Sequence, residues 1–484
     1  MPTDKEFLGT EDIPEPFEMR SWKDYIKFLI GPGIIAMGLG LGTGEIVSGP
    51  FLVVKHGPFI LWIALISMIL QTLTSVIASK YTILTGEPFQ LGINRLWISK
   101  KAWTIVWVVL GGISIIFPYY MALLGVTMVA MVIQSVPTAA DQGLWVIFTL
   151  IALVITIIPL FLGKKVMRTL AMMFFLLHFI IVIPMLIILT LIFVPAEVIW
   201  TVFTGFFTFG YVPPDADWLA MGAVAGFAGL AASAGIPISS YYRDTGWGMA
   251  EKVGYIPGAV GGKKTEFKTK GYLPKSTPEN QKRAKKWYKY IKMELIPVFF
   301  FGSFFTMLFP CALFYHFVPQ SATSEANIFG FTAVLAQNMG PVLPFAFWII
   351  LIMLFIVFWP DGTGVVEGQM RSFANILWNA FPGLEKKFKG DIRPLYYGIL
   401  AIFTGIWILM ILTGTPPVTM VLISGSLANI GGVIFAIGLL GVNYLILPKD
   451  FRFSKLEVAI IIIALGFFSF FMINALLVPL GVSF

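Results

Sequence analysis

A helix needs about 20 consecutive apolar residues to cross the hydrocarbon core of a bilayer, and this chain of 484 residues carries eleven such runs, centred near residues 38, 68, 118, 153, 182, 230, 306, 352, 402, 432 and 469. Inside lipid, every backbone N–H and C=O must find its partner within the segment, so each run is expected to be helical. The predicted fold class is an all-α integral membrane protein with 11 transmembrane helices. Hydrophobic residues make up 58% of the chain and charged residues only 12%, against roughly 25% charged in a globular protein, and no soluble domain of useful size is left over. Residues 1–25 are polar and lack an apolar core, which fits a cytoplasmic tail and not a cleavable signal peptide.

Charge placement orients the spans. With the amino terminus cytoplasmic, all 33 Lys and Arg residues except Arg371, in the eighth span, and Lys55, outside, fall in cytoplasmic segments or at their edges. That is the positive-inside bias of a multi-pass protein of the cell membrane, its carboxyl terminus outside. The pI of about 9.3 then reports topology and attraction to anionic lipid, and nucleic acid is not expected as a partner. Cys311 stands alone and permits no intramolecular disulfide.

Two of the runs are interrupted. Residues 39–50 read LGLGTGEIVSGP, with glycines at alternate positions followed by Glu45. Glycine weakens a helix by losing the most backbone freedom, so the first span is expected to come apart here. Residues 229–237, GLAASAGIP, do the same to the sixth span and end in a proline without a donor. The sixth span enters from outside, opposite to the first. Two oppositely directed five-helix units that begin with interrupted helices make a 5+5 inverted repeat: residues 26–195, then 217–447 with a cytoplasmic basic loop at 243–292, and one extra helix at 455–484. The repeat follows from topology, since the halves share no detectable sequence identity. A solute site is expected between the breaks, built from Gly42, Thr43, Gly44 and Glu45 on one side and Ala234, Gly235, Ile236, Pro237 and Ser239 on the other.

Other candidates are charges within apolar runs. The eighth span contains WPDGTGVVEGQMR, which brings Asp361, Glu367 and Arg371 into or just below the membrane, where charges by default suggest function. Glu367 and Arg371 stand four apart and can equally form a pair along one helix face. Arg243 and Asp244 sit where the sixth span meets the cytoplasm, the position of an inner gate. Residues 278–292 can form a basic surface helix or a solvated loop against anionic headgroups. Gly163, Lys164 and Lys165 predict a tight basic turn, His178 a core histidine with its hydrogen bonds satisfied, and His56 and His316 interfacial residues. Ser240 and Tyr241 follow Ser239 after the second break and offer hydroxyls, although close helix packing explains small residues there as well. Neither a nucleophile arrangement nor a phosphate-binding Walker pattern is present, which argues against an enzyme or an ATP-driven pump and calls for no cofactor.

The stretches GPGIIAMGLGLGTGE, GPFILW, LQTLTSVIASKYTILTGE and PDGTGVVEGQ together resemble the Nramp family of divalent metal transporters, a branch of the superfamily with the leucine-transporter fold. The resemblance covers nearly the whole chain and implies a leucine-transporter-like fold, alternating access and a divalent metal as solute. Its site chemistry departs from the family. The Asp-Pro-Gly-Asn of the family's first break falls on Gly42, Thr43, Gly44 and Glu45, and the Met-Pro-His of the second on Ile236, Pro237 and Ile238. The metal-binding aspartate, the soft sulfur and the imidazole are therefore replaced. The third span carries no ionisable carboxylate, and the family's ninth-span arginine falls near Tyr397, so proton coupling of the family's kind is not expected.

Glu45 beside exposed carbonyls is a hard-oxygen setting suited to Mg²⁺ or Mn²⁺, with Asp361 or Glu367 needed to complete it. The alternative is a small organic solute such as an amino acid or carboxylate, its anionic end on the N–H groups of the broken helices and its ammonium on Glu45. A further alternative is a non-transporting sensor, with Glu45 merely bonded to broken backbone. The expected partners are the lipid bilayer and the solute, and the expected state is a monomer.

Overall fold

The apolar runs fold as helices. The computed structural model describes residues 7–18, 21, 24, 32–161, 172–253 and 270–477. In chain order the elements used below are β1 (Thr10–Glu11), α1 (Pro32–Gly40), α2 (Gly49–His56), α3 (Trp62–Thr85), α4 (Lys100–Ser114), α5 (Tyr119–Ile133), α6 (Gln142–Ile157), α7 (Ile183–Phe193), α8 (Trp218–Phe227), α9 (Gly235–Asp244), β2 (Leu273–Pro274), α10 (Pro278–Leu295), α11 (Gly302–Phe317), α12 (Ala346–Ala380), α13 (Arg393–Leu412), α14 (Pro417–Leu445) and α15 (Lys455–Leu477). Among the described residues, ten helical segments are long and apolar enough to cross a membrane, and the chain is a multi-pass membrane protein. Ten of the expected centres fall in these segments. Residue 230 falls between the two short helices α8 and α9.

The interruptions differ from expectation in degree. The first is slight: residues 41–42 form a turn, residues 44–48 widen into a π-helix, and α2 continues the same rod. Leu41 N still donates to Met37 O at 3.0 Å and Ile46 N to Gly42 O at 3.0 Å, so the expected opening of the first helix is reduced to a bulge. The glycines serve another purpose. A Cβ on Gly40 would overlap the carbonyl oxygen of Gly229, and one on Gly44 the carbonyl oxygen of Phe227. They let the first helix lie backbone against backbone on the second break. That second break is complete, with residues 228–234 non-helical and Gly229 at φ +103°. A third break lies at Pro118, between α4 and α5, where the third span had been read as one continuous helix; Trp407 Nε1 satisfies the freed Ile115 carbonyl at 2.8 Å. Proline removes a donor and crowds the preceding turn, so the sequence FPYY carried this signal.

Residues 278–292 form the helix α10, not a loop, with Thr277 Oγ1 accepting from Asn280 N at 3.3 Å as its cap. The expected basic turn at Gly163, Lys164 and Lys165 lies outside the described residues, as do residues 254–269 of the basic loop. The amino-terminal tail is packed, not free: β1 pairs parallel with β2, and residues 13–17 lie along α10.

Candidate functional site

Glu45 points from the π-helical turn into the second break. Its Oε1 accepts the Gly229 N–H at 2.8 Å, its side chain has no solvent exposure, and Oε2 has no hydrogen-bond partner among the described residues. The carboxylate thus joins the two interrupted helices and keeps one oxygen unspent. Asp361 reaches the same place from α12. A Cβ built on Gly42 would collide with Asp361 Oδ2 and would stand 2.9 Å from the Tyr120 hydroxyl. A carboxylate from the eighth helix therefore fills the space in front of the position onto which the family's aspartate falls. Neither oxygen of Asp361 has a hydrogen-bond partner among the described residues, and His178 Nδ1 lies 3.6 Å from Oδ1. The His178 ring itself rests between the carbonyls of Gly38 at 3.1 Å and Ile356 at 3.3 Å, as a core histidine should. Thr43 is buried and bonded to the Tyr120 hydroxyl. Its carbonyl and that of Gly44 accept from Ser48 Oγ at 3.3 and 3.1 Å.

Beside this cluster lies a cavity of about 910 Å³ of atom-free space, part of it open to solvent. It runs between α1, α4, α5, α8, α9, α12 and α14. Of the residues expected at the site, Ile236 and Pro237 line it. Gly42, Thr43, Gly44 and Glu45 do not, nor do Ala234, Gly235 and Ser239. Ser239 Oγ is used structurally, donating to Ile236 O at 2.7 Å and accepting from Phe89 N at 3.0 Å, while a side chain on Gly235 would strike the Phe435 ring. Tyr120 and Leu39 both line the cavity, and the Tyr120 ring and Asp361 Oδ2 border the same space in front of Gly42.

Glu367 and Arg371 pair along α12, with Arg371 Nε donating to Glu367 Oε1 at 2.5 Å. The pair extends across helices, because Arg371 Nη1 also bonds Asp244 at the end of α9. Glu367 is therefore part of a tie between α9 and α12 and does not join Asp361. Arg243 is buried beside this tie.

Two acidic anchors escaped the sequence reading. Glu294 accepts from the Gly33 N–H at 2.5 Å and from the Tyr242 hydroxyl, so it caps the first helix from α10 and ties α9 to both. Glu87 holds Arg95, with Oε1 accepting from Nη2 at 2.6 Å. Each is a single carboxylate at the rim of an apolar run, and that rim position was its only sign. Among the described residues, no three His, Cys, Asp or Glu side chains gather as a metal cluster. A cation at Glu45 and Asp361 would draw its remaining ligands from hydroxyls, carbonyls and water.

The sequence matches no family model and no curated protein. The fold is similar to that of solved structures. The manganese transporter of Eremococcus coleocola, crystallised with an aromatic bis-isothiourea substituted compound, aligns over 98% of this chain and 90% of its own at a TM-score of 0.61 and 13% sequence identity. A Glu-to-Gln mutant of the same transporter aligns over 96% and 88% at a TM-score of 0.60 and 14% identity. The fold is thus the one that the Nramp resemblance implied.

Proposed function

We propose that this protein is a secondary transporter or facilitator that binds a hard cation, Mg²⁺ or Mn²⁺, at Glu45 and Asp361 and moves it by alternating access. The observation that carries this reading is three carboxylate oxygens, Glu45 Oε2 and both of Asp361, buried without a hydrogen-bond partner next to the first helix bulge. Ionised carboxylates are costly in so dry a place unless a positive charge meets them. Oxygen donors without sulfur or a free imidazole favour a hard ion, and so short a protein shell suits Mg²⁺, which sheds water reluctantly. Thr43, Gly42 and Gly44 contribute backbone and hydroxyl oxygen in this reading, while Ile236 and Pro237 face the approach and the other second-break residues hold its shape.

The architecture behind this is an eleven-helix plan in which α8 and α9 count as the sixth span. It makes two inverted repeats, 26–195 and 217–447, with 455–484 as the extra helix, the amino terminus cytoplasmic and the carboxyl terminus outside, working as a monomer in the cell membrane. Arg371, Asp244 and Glu367 serve as the inner gate, with Arg243 beside them. The bare third span, without a carboxylate from Lys100 to Ile133, supports flux without the family's kind of proton coupling.

Reconstituted in liposomes, the protein should pass Mg²⁺ or Mn²⁺ without acidifying the lumen. Glu45→Gln and Asp361→Asn should each lower calorimetric affinity at least tenfold while the protein elutes as a folded monomer. Unchanged affinity in both variants would remove the cation from this place, and protein-dependent acidification would overturn uncoupled flux.

A further inference from the structure

The cavity beside the carboxylates is unlike a cation vestibule. Among the described residues, no Asp, Glu, Lys, Arg or His lines it. Its wall is instead aromatic: Trp107, Tyr119, Tyr120, Phe227, Tyr241 and Phe373. The rings already stack with one another, Tyr119 on Tyr120 at 4.8 Å between centroids and Tyr119 on Phe227 at 5.4 Å. Glycines pack its wall closely. Gly364 and Gly368 on α12, Gly111 on α4 and Gly431 on α14 all line the cavity. A Cβ at Gly431 would come to 3.3 Å from Ser233 Oγ and one at Gly368 to 3.1 Å from the Tyr241 hydroxyl. That hydroxyl is the second observation. Tyr241 is fully buried, lines the cavity, and its oxygen has no hydrogen-bond partner among the described residues. A buried hydroxyl left unbonded is costly unless something in the cavity bonds it. A mostly apolar cavity with a few convergent polar groups is what a small organic ligand requires.

We propose that this cavity binds an uncharged organic solute built on an aromatic ring, one polar group of which bonds Tyr241 Oη while the ring stacks against the Tyr119, Tyr120 and Phe227 wall. The proposal rests on the reading that the interrupted helices form the transport site, and it adds a second ligand to it: the cation at Glu45 and Asp361, the ring compound in the cavity.

The test uses the full-length protein in nanodiscs, with nicotinamide, uracil and indole as uncharged probes and benzoate and Mn²⁺ as charged ones. Calorimetry should detect at least one uncharged ring, bound more tightly than benzoate. Tyr241→Phe keeps the volume and removes the hydroxyl, and should weaken that ring about tenfold while leaving Mn²⁺ affinity unchanged. Cys311 is buried, so a Ser114→Cys variant carries one reachable thiol on the cavity wall, and the bound ring should slow its alkylation. The idea is overturned if none of the three uncharged probes binds at millimolar concentration, or if binding survives Tyr241→Phe undiminished and Ser114→Cys is alkylated at the same rate with and without the ring. Loss of Mn²⁺ binding in Asp361→Asn with ring binding intact would separate the two sites, and Mn²⁺ binding without any ring would leave the cation reading standing alone.

Discussion

At the scale of single residues, the glycines of the first interruption carry a burden that their backbone freedom does not describe. Gly40 and Gly44 have no positive φ; what they lack is a Cβ, and that lack lets the first helix rest on the carbonyls of Gly229 and Phe227. Backbone cannot move aside as a flexible side chain can, so Gly40→Ala should destabilise by about 1–3 kcal/mol through overpacking. Gly383→Ala, where an added Cβ meets nothing within 4 Å, is the matched control and should leave the midpoint of thermal unfolding in detergent where it is. Equal midpoints for the two variants would show that the helices do not approach as closely as described. The same contact explains why Glu45 can reach Gly229 at all: only glycine-thin walls bring a first-helix carboxylate within 2.8 Å of the second break.

At the scale of elements, the long apolar runs were readable because lipid allows them one solution, and α3, α6, α7, α12, α13, α14 and α15 stand where the runs predicted. The second break was equally readable from small residues ending in Pro237. The first was over-read, since alternate glycines look the same in a sequence whether they loosen a helix or let one pack closely. Asp361 and Glu367 could not be told apart, because six positions along one helix reveal nothing about which neighbour each side chain meets. One meets Gly42 and the other Arg371. The tie between α9 and α12 makes that difference measurable. Arg371 contacts both Asp244 and Glu367, and all three are nearly excluded from solvent. Removing the arginine leaves two buried carboxylates without their cation, so Arg371→Ala should cost about 3–5 kcal/mol. Arg371→Ala combined with Asp244→Asn and Glu367→Gln should recover part of it, because no uncompensated charge then remains. A double-mutant cycle between Arg371→Ala and Asp244→Asn with no coupling energy would argue against a closed tie.

At the scale of the whole molecule, the ends of separate spans are clasped by a strap that no hydropathy pattern contains. Leu8 N donates to Gly271 O at 2.8 Å, Leu273 N to Gly9 O at 2.9 Å and Lys275 N to Glu11 O at 3.1 Å. Tyr272 N reaches the Thr85 carbonyl at the end of α3 at 2.9 Å, and Phe17 meets Trp287 on α10 edge to face at 5.5 Å. Any movement of α3 against α10 has to carry this clasp along or open it. Its outer fastening is ionic: Lys252 bonds Glu11 at 2.9 Å and Lys275 bonds Asp12 at 2.7 Å. Both carboxyls are held below their ordinary values, Glu11 by the hydrogen bond and then the charge of Lys252, and Asp12 by the hydrogen bonds from Lys275 and then Asn280. A carboxyl lowered in the folded state stabilises above its ordinary value and loses that contribution as pH falls through the folded one. The fastening should therefore hold at neutral pH, loosen in acid, and weaken in salt because both pairs are exposed. Glu11→Gln with Asp12→Asn imitates the acid state at pH 7 and should speed hydrogen exchange at the Leu8 and Ile13 amides, as should 0.5 M salt on the unmodified protein, roughly at the ionic strength where screening shortens below a lysine's reach. If exchange is unchanged in both, the strap is held by Phe17 in its aromatic socket of Trp247, Trp287 and Tyr290, and Phe17→Ala should then release it at any pH.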